Sequence, residues 1–387
     1  MPVLLFDRAR SLLLFSAYIE RGAMRRSITF AFLLLTAGIF SNANAGPFEL
    51  EFEELAPGVW AGVRPDGPRF PVMGSVTFVI SSEGVVVFDG GGMPIMSEKT
   101  IVKIRSLTDT PVTHVVISHW HGDHNFGIYR FVEEFPDAQI IAHRFTDAVM
   151  KGSRIQYIQR YPEFMAKNVP TFKKALETGA EEDGTVLTLS DKIEYERIIE
   201  DADEIDVEFK RARITLPTVV FGDELIIESG GRRIELRQLG PGNTEGDIVM
   251  WLPKERLVAT GDLVVMPTPY AFNVPPRAWA ATLNRLNELQ YQILVPGHGK
   301  VQRNSRYVDL NIEAATSIAD QRDAMIADGV SNDDIEERLD FTAFEQRFTD
   351  GDEYLTGYFK AYFERPFRKA AIKELSGEPM VPIEATN

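Results

Sequence analysis

Short apolar runs that end at an acidic residue predict a chain built from two similar halves. Residues 76–89 contain two apolar runs separated by a Ser-Ser-Glu-Gly turn, which is a hairpin pattern that ends at an aspartate. Residues 248–262 repeat this pattern around a Pro-Lys-Glu-Arg turn, and they align without a gap with residues 75–89. A helical stretch follows each hairpin, and then an apolar strand runs into a histidine, at His119 and at His298. The doubled β-β-α-β unit predicts an α+β fold of four layers (αββα), with two sheets packed face to face and helices outside them.

Two helical regions are expected in addition to the sandwich. Residues 46–303 contain both halves, but a charged, mainly helical segment at about 144–213 interrupts them and is too long for a simple connection. We expect this helical insert either to extend over the site opening or to cover the sandwich. Residues 304–387 predict a helical C-terminal extension with an aromatic run at 354–363. That run predicts packing contacts or a homodimer formed through the C-terminal helices.

The N-terminal region has the pattern of a secretory signal. Met24, which we expect to be the true start, is followed by two arginines, an apolar core at 28–40 and an A-x-A site that ends at Ala45. The core is short for a membrane span, so the sequence predicts a cleaved signal peptide at 1–45 and no stable membrane anchor afterwards. An uncleaved anchor helix is the alternative. Export predicts a periplasmic or secreted protein.

Composition narrows the possible chemistry and partners. The 387-residue chain has no cysteine, which excludes disulfides and thiol chemistry. Its formal net charge is -16, and residues 1–45 carry five arginines against Asp7 and Glu20, so their removal would take the charge to -19. Such an acidic chain repels phosphate backbones and anionic membranes. We therefore expect a small-molecule substrate and no nucleic-acid partner.

The segment with the clearest chemistry follows the apolar run at 115–118. His119-Trp120-His121-Gly122-Asp123-His124 contains three of the six histidines in the chain. Two imidazoles at i and i+2 can face one side of a loop while Asp123 and His124 face the other. This arrangement suits two neighbouring metal ions, and zinc accepts such a mixture of imidazole and carboxylate. A histidine-rich surface loop is the alternative, which the scarcity of histidine disfavours.

Together with three later motifs, this H-x-H-x-D-H segment resembles the metallo-β-lactamase superfamily over about residues 48–301. The later motifs are Gly-Pro-Gly-Asn-Thr-Glu-Gly-Asp at 240–247, Thr-Gly-Asp at 260–262 and Pro-Gly-His-Gly at 296–299. The resemblance implies the same αββα sandwich. It also implies a zinc-dependent hydrolase that cleaves an ester, lactone, thioester or amide bond by a metal-bound hydroxide.

The resemblance further implies two sets of metal ligands. One ion would take His119 and His121, and the other would take Asp123, His124 and His298. A bridging carboxylate, Asp262, would contact both ions, which two-metal sites hold roughly 3.5–4 Å apart. As the catalytic residue, Asp123 would orient the attacking hydroxide and accept its proton.

Asn243 departs from the superfamily pattern. It stands where a third histidine usually completes the first metal site, and an amide oxygen is a neutral and weaker ligand than imidazole. His114 and His143 are expected to be structural histidines rather than substitutes. The sequence therefore predicts one or two zinc ions per chain, with the first ion bound more weakly.

Three functions remain open. Asp262 favours a general hydrolase, because zinc β-lactamases proper usually have cysteine or serine at that position. Export favours a periplasmic β-lactamase, since β-lactams act there. Asn243 favours a third possibility, a metal- or ligand-binding protein with a degenerate site and no turnover.

Residues near the motifs are expected to support the site. Asp89 is expected to organise the histidine loops without binding metal itself. The glycines at 90–92 lack the lysine and spacing of a phosphate-binding loop and predict a tight turn beside the metal site. Trp120, Tyr270 and Asn273 are expected to line the opening for substrate, although packing is an equal alternative for each.

Overall fold

A computed structural model describes residues 45–65, 67 and 69–380. The described chain contains two β-sheets. The strands of the first sheet are β1 (Glu51–Ala56), β2 (Val59–Val63), β3 (Val76–Ile80), β4 (Val85–Phe88), β5 (Val112–Ile117), β6 (Gln139–His143) and β7 (Val219–Phe221). Those of the second sheet are β8 (Glu224–Ser229), β9 (Arg232–Arg237), β10 (Val249–Leu252), β11 (Leu257–Ala259) and β12 (Ile293–Val295). The predicted signal peptide at 1–45 lies, apart from Ala45, outside the described residues.

Strand order follows the two predicted halves. The first sheet runs in chain order from β1 to β7, antiparallel up to β4 and parallel from β4 to β7. The second has the order β12-β11-β10-β9-β8, in which only β11 and β12 are parallel. Both predicted hairpins are present, as β3–β4 and β10–β11. Each leads through a helix to a parallel strand, which places the carboxyl ends of β4, β5, β11 and β12 at one edge of the sandwich.

The alternation of side chains explains the layers. Val86 and Met250 point from their two sheets into a shared core between them. Val85 faces the other way and packs against the helices outside the first sheet, while Val249 packs against those outside the second. A strand that is buried on both faces reads as a continuous apolar run, which is what the sequence shows at these positions. The four-layer αββα architecture is confirmed.

Helices cover both outer faces. Those up to and including the insert are α1 (Pro94–Leu107), α2 (Gly122–Asn125), α3 (Tyr129–Glu134), α4 (Arg144–Lys151), a 3₁₀ helix (Arg154–Arg160), α5 (Tyr161–Thr178), α6 (Leu189–Glu200) and α7 (Ala202–Arg211). The insert expected at about 144–213 is helical, and its buried residues, such as Ile158 and Phe209, join the core outside the first sheet. It therefore covers the sandwich, and one of its side chains also reaches the histidine loop.

The C-terminal extension is helical and packs on the second sheet. A 3₁₀ helix (Gly261–Leu263) and α8 (Pro276–Glu288) precede the extension. The extension contains α9 (Arg306–Ala327), α10 (Asn332–Arg338), α11 (Thr342–Thr349), α12 (Glu353–Tyr358), a π-helix (Phe359–Glu364), α13 (Arg365–Lys373) and a 3₁₀ helix (Glu374–Ser376).

Much of the aromatic run in this extension is used within the chain. Phe359 and Phe363 are fully buried in the core outside the second sheet, next to Phe367. The packing alternative accounts for these rings, and the homodimer stays a prediction. Among the described residues, no helix combines the length and apolar character that crossing a membrane requires.

Candidate metal centre

The candidate ligands lie at the edge of the sandwich where parallel strands end. His119 and His121 follow β5, and Asp123 lies in the first turn of the short helix α2 directly after them. Asp262 lies in the 3₁₀ helix after β11, and His298 follows β12. Because each half of the fold delivers its strand ends to this edge, residues 175 positions apart in sequence come into contact.

Two clusters of ligand atoms share one carboxylate. In the first cluster, His119 Nε2 lies 3.0 Å from His121 Nδ1 and 3.6 Å from Asp262 Oδ2. Ligand atoms around a tetrahedral zinc ion are roughly 3.4 Å apart, given metal–ligand distances of about 2.1 Å. The three side chains have the spacing of a shared ion.

The second cluster lies on the other side of Asp262. His124 Nε2 and His298 Nε2 are 3.2 Å apart, and they lie 3.0 Å and 3.2 Å from Asp262 Oδ1. Asp123 Oδ2 completes the group at 3.2 Å from His298 Nε2 and 3.5 Å from His124 Nε2. Asp262 thus presents one oxygen to each cluster, which is the bridging position that the resemblance implied.

Asn243 lies at the first cluster. Its Nδ2 is 3.5 Å from Asp262 Oδ2, and its Oδ1 is buried without a hydrogen-bond donor among the described residues. Asp262 Oδ1, in contrast, faces His124 Nε2 and His298 Nε2 at 3.0 Å and 3.2 Å. An uncompensated buried oxygen is costly, and a metal ion is one way to satisfy it. The donor set of two imidazoles, a carboxylate and an amide oxygen therefore fits a divalent ion, although the amide is the weakest ligand.

Two neighbours orient the histidines. Asp89 Oδ2 lies 2.8 Å from His124 Nδ1, and Asp89 Oδ1 accepts the Ser118 N–H at 2.8 Å. Ser118 Oγ lies 2.9 Å from His119 Nδ1. With Nδ1 engaged in each ring, Nε2 is the atom that faces the centre, as in metal sites whose histidines are held by a second hydrogen bond.

The electrostatics of the centre favour a cation. Burial lowers the pKa of His119 and His121 and keeps these imidazoles neutral. Burial also opposes charge on His124, but the nearby carboxylates of Asp262, Asp89 and Asp123 together outweigh it and raise the pKa of that ring above its ordinary value. Although burial acts to raise the pKa of Asp123, the neighbouring histidines, His124 first, lower it to about 2. These carboxylates stabilise positive charge next to them, which protonated histidines supply. A divalent ion would replace those protons.

Close backbone approaches explain the glycines around the centre. A Cβ atom at Gly92 would lie 2.2 Å from the carbonyl oxygen of Asp123, and one at Gly297 would lie 2.2 Å from Asp262 Oδ1. Gly91 has φ of +104°, which side chains other than glycine rarely adopt. The tight turn that the sequence predicted beside the site is present.

The three residues expected to line the opening occupy different environments. Tyr270 lines a cavity beside His298, with ring centroids 5.3 Å apart. Trp120 is buried in the core outside the first sheet and packs edge-on against His121, and Asn273 is half-buried. Neither of these two is among the described residues that line that cavity, and their role in substrate binding stays a prediction.

Two features of the site were not found from the sequence. Tyr157, in the insert, accepts the Gly122 N–H at 2.8 Å through its hydroxyl and so contacts the histidine loop directly. The second feature is a pair of buried arginines, Arg64 and Arg69, which line the cavity beside His298. The arginines come from an irregular loop between β2 and β3, where no periodic pattern or basic run marks them.

Comparison with known proteins agrees with the class that the fold indicates, an αββα sandwich with candidate metal ligands at one edge. The profile of the Metallo-beta-lactamase superfamily matches residues 69–298, more than half of the chain. The chain belongs to this superfamily.

Similarity to individual proteins is more distant. The chain is 24% identical over 276 residues to a linear primary-alkylsulfatase from Pseudomonas sp. (strain ATCC 19151), covering 66% of this chain and 48% of that protein. It is 29% identical over 90 residues to an atrochrysone carboxyl ACP thioesterase from Aspergillus terreus (strain NIH 2624 / FGSC A1156), covering 22% of this chain and 27% of that protein. The chain thus spans about half of the alkylsulfatase and about a quarter of the thioesterase. Both relatives are named for hydrolytic reactions.

The solved structures that this chain resembles include metallo-beta-lactamases. A metallo-beta-lactamase from Pontibacter korlensis superposes with a TM-score of 0.47 at 17% identity, covering 69% of this chain and 99% of that one. The DIM-1 metallo-beta-lactamase gives the same TM-score and identity over 70% of this chain and 98% of that one.

Proposed function

We propose that this protein is a zinc-dependent hydrolase that cleaves an ester, lactone, thioester or amide bond of a small molecule. The observation that carries the proposal is the pair of ligand clusters that share Asp262. Bound zinc would lower the pKa of a coordinated water towards 7 and polarise the bond to be cleaved. His119, His121 and the shared Asp262 would hold one ion, with Asn243 as a weak fourth ligand. The second cluster would hold the other.

Asp123 has the position of a proton acceptor in this centre. It is the most exposed of the clustered carboxylates, at 24% of its side chain against 2% for Asp262. Its Oδ2 faces His298 at 3.2 Å, so a water held at the second cluster would lie within its reach. Asp89 would keep His124 in the tautomer that leaves Nε2 available.

The relatives add one substrate class to the panel that should be tried. The alkylsulfatase makes sulfate monoesters worth testing beside carboxylic esters, lactones and thioesters. The similarity covers about half of that protein, so its substrate is a candidate here and no more.

The test combines metal analysis with turnover. Purified protein is analysed for bound metal, then assayed on aryl esters, lactones, thioesters, sulfate esters and a β-lactam, before and after treatment with a chelator. We expect zinc-restored turnover, and an Asp123→Asn variant should lose about 10²–10⁴-fold in kcat, the usual contribution of a positioned base. Asp109→Asn, at an exposed site, is the matched control. Turnover that survives both chelation and Asp123→Asn would refute the proposal, and β-lactam turnover alone would identify a β-lactamase.

Asn243 supports a second candidate, a metal- or ligand-binding protein without turnover. Since the amide oxygen is a weaker ligand than the imidazole usual at this position, the first ion could be too labile to take part in hydrolysis. This candidate predicts bound metal and no turnover across the whole panel.

We also propose that the protein is exported and acts in the periplasm or outside the cell. The support is the signal-like sequence at 1–45. Sequencing the N-terminus of protein recovered from its native compartment tests this, with Gly46 expected as the first residue. An N-terminus upstream of the apolar core in cytoplasmic material would contradict it.

A further inference from the structure

The peptide group between His121 and Gly122 is hydrogen-bonded at both ends. Its carbonyl oxygen accepts a hydrogen bond from Asn125 Nδ2 at 2.6 Å, and the His124 N–H donates to the same oxygen at 3.2 Å. Its N–H donates to the Tyr157 hydroxyl at 2.8 Å. Side chains from two separate parts of the chain, α2 and the helical insert, therefore meet at one peptide group.

The ring of His121 is oriented differently from the other two histidines of this loop. Ser118 Oγ lies beside Nδ1 of His119, and Asp89 Oδ2 lies beside Nδ1 of His124. Both of those rings face the centre with Nε2, whereas His121 presents Nδ1, 3.0 Å from His119 Nε2. Among the described residues, His119 is the only hydrogen-bonding neighbour of the His121 ring. The direction of this ring therefore depends on its backbone and on packing.

The hydrogen bonds at the peptide group determine that backbone. A peptide group is planar, so its orientation is set by two rotations, ψ of His121 and φ of Gly122. His121 precedes α2 with φ of −67° and ψ of 136°. Rotation about either bond turns the peptide plane and would separate its oxygen from Asn125 or its N–H from Tyr157. With both ends bonded, the Cα–Cβ bond that directs the His121 ring is held in place.

Both hydrogen-bonding side chains are themselves fixed. Asn125 is fully buried, and its Nδ2 also lies 3.5 Å from the carbonyl oxygen of His119. Because carbonyl oxygens only accept hydrogen bonds, the amide must present its NH2 group to both of them. The Tyr157 hydroxyl is also hydrogen-bonded to Tyr161, whose ring stacks on Phe209 with centroids 4.2 Å apart. Neither side chain can turn away without losing a second contact.

Tight packing encloses the same peptide group. A Cβ atom at Gly122 would lie 2.0 Å from Cε2 of Phe126, whose ring is fully buried. The ring of Phe126 packs in turn against Tyr157, with centroids 5.5 Å apart. Gly122 is therefore the residue that lets the phenylalanine ring approach the backbone beside the tyrosine hydroxyl.

We propose that Asn125 and Tyr157 act together as positioning residues that hold His121 for the first metal ion. This pair of side chains, the peptide clamp, acts through the backbone and does not contact the ion. The inference rests on the proposed zinc centre and specifies what compensates for Asn243, the weak ligand of the same cluster. A ligand that is already in place loses less conformational freedom on binding, so the clamp raises the affinity of a site that has one poor donor.

Stepwise competition with a chelator measures the zinc affinity of each site. A His121→Ala variant identifies the first site as the step that it removes. Asn125→Ala and Tyr157→Phe should each weaken that step about tenfold or more, the usual effect of losing a residue that supports a ligand, and shift the other step about threefold or less. Equal weakening of both steps in Asn125→Ala would indicate general loosening of the fold and overturns the proposal.

Asn311→Ala is the matched control for Asn125→Ala. Asn311 is 1% exposed and donates from Nδ2 to the carbonyl oxygen of Tyr307 at 2.6 Å, in α9 and outside the ligand clusters. Its replacement should lower stability and leave both zinc affinities unchanged. A loss at the first site equal to that of Asn125→Ala would contradict a specific role for Asn125.

The double variant tests whether the two side chains act on one peptide group. If they do, each single loss already includes part of the other. Asn125→Ala combined with Tyr157→Phe should then weaken the first site about 10–30-fold, instead of the roughly 100-fold expected when two tenfold effects are independent. Losses that simply multiply overturn the clamp.

Hydrogen exchange at the Gly122 amide of metal-free, unmodified protein tests the clamp even if the variants do not fold. An amide held by Tyr157 should exchange at least about 100-fold more slowly than in an unstructured chain, and rapid exchange overturns the proposal. Unmodified protein that binds zinc only at the step unaffected by His121→Ala overturns it as well. Absence of any bound zinc refutes the proposed function instead, and slow exchange at Gly122 that Asn125→Ala accelerates would still confirm the clamp.

Discussion

Asp89 Oδ2 lies 2.8 Å from His124 Nδ1 inside the protein, and this contact determines which nitrogen of the ring faces the metal centre. The carboxylate accepts the Nδ1 hydrogen, so the Nε2 lone pair is directed towards Asp262 and His298. Asp89 itself has φ of +57°, a left-handed conformation that aspartate and asparagine tolerate better than most residues. Asp89 therefore forms the backbone turn after β4 and also orients His124, a candidate ligand from the segment that follows β5.

Replacement of Asp89 by asparagine should weaken metal binding at the second cluster by about 10–100-fold, the usual effect of losing the partner of a ligating histidine. Asparagine keeps the positive φ and can still accept the Ser118 N–H, so the fold should be retained. Competition with a chromophoric chelator measures the change, with Asp109→Asn as control. Unchanged metal affinity in Asp89→Asn would show that His124 is oriented by its packing alone.

Substitution of Asn243 by histidine should make the metal affinity of the first site similar to that of the second. Asn243 Oδ1 is the weakest donor of the first cluster, so chelator should remove that ion first from the unmodified protein. In Asn243→His, a third imidazole should slow this loss and tighten the first site about tenfold or more. Metal content during stepwise chelation measures both effects.

Asn243→Ala supplies the control for the amide itself. If the amide oxygen binds the ion, the alanine variant should lose the first ion more readily than the unmodified protein. Identical loss from both would mean that water completes the first cluster in place of Asn243.

The helical insert should affect the metal centre through Tyr157. Its hydroxyl accepts the N–H of Gly122, which lies between His121 and Asp123. Tyr157→Phe leaves this buried donor without an acceptor, at a cost of about 1–3 kcal/mol in the free energy of unfolding, and should also weaken metal binding.

Tyr291→Phe is a matched control for this change. It removes a hydroxyl that donates to Asn287 Oδ1 at 3.2 Å. Asn287 lies in α8 and Tyr291 follows that helix, away from the candidate metal centre. We expect it to lower stability at most and to leave metal affinity unchanged. If the two variants change metal affinity equally, the insert has no specific effect on the site.

Local patterns predicted the sandwich and located the candidate ligands because the information lies in short segments. The two hairpins, the apolar strands and the histidine and aspartate positions at their ends can each be read within about ten residues. The bridging position of Asp262 followed from the superfamily resemblance, and the structure places its two oxygens at the two clusters.

Contacts between distant segments could not be predicted from such short patterns. The ring of Tyr157 comes from an insert whose direction no local pattern determines, and Arg64 lies in an irregular loop with no periodicity. Aromatic spacing in the C-terminal extension fits either a core or an interface, because both bury the same rings. Only the packing of Phe359 and Phe363 against the second sheet shows that much of this surface is already covered.

His143 should make the protein less stable in mild acid, independently of the metal ligands. Burial, with a contribution from Arg144, lowers the pKa of this histidine from 6.5 to about 4. The folded state therefore keeps the ring neutral, and its Nδ1 accepts the Phe145 N–H at the start of α4. Below pH 6.5 the unfolded chain binds a proton that the folded state does not, so the free energy of unfolding falls as the pH falls towards 4. The loss amounts to at most about 3 kcal/mol.

A His143→Asn variant isolates this effect. Asparagine is a favourable residue at a helix N-cap and does not titrate, so the capping interaction can persist while the proton uptake disappears. Urea unfolding at pH 7.5 and pH 5 should show a smaller acid-dependent loss in the variant than in the unmodified protein. Both proteins should be measured after removal of metal, because protonation of the ligands also releases ions in acid. The variant loses ring contacts with Phe145 and Phe221, so its free energy of unfolding at pH 7.5 serves only as a baseline. The test is the change in the free energy of unfolding between pH 7.5 and pH 5, compared between the two proteins. Equal losses in the two proteins would mean that His143 titrates normally in the folded chain and that the acid sensitivity originates elsewhere.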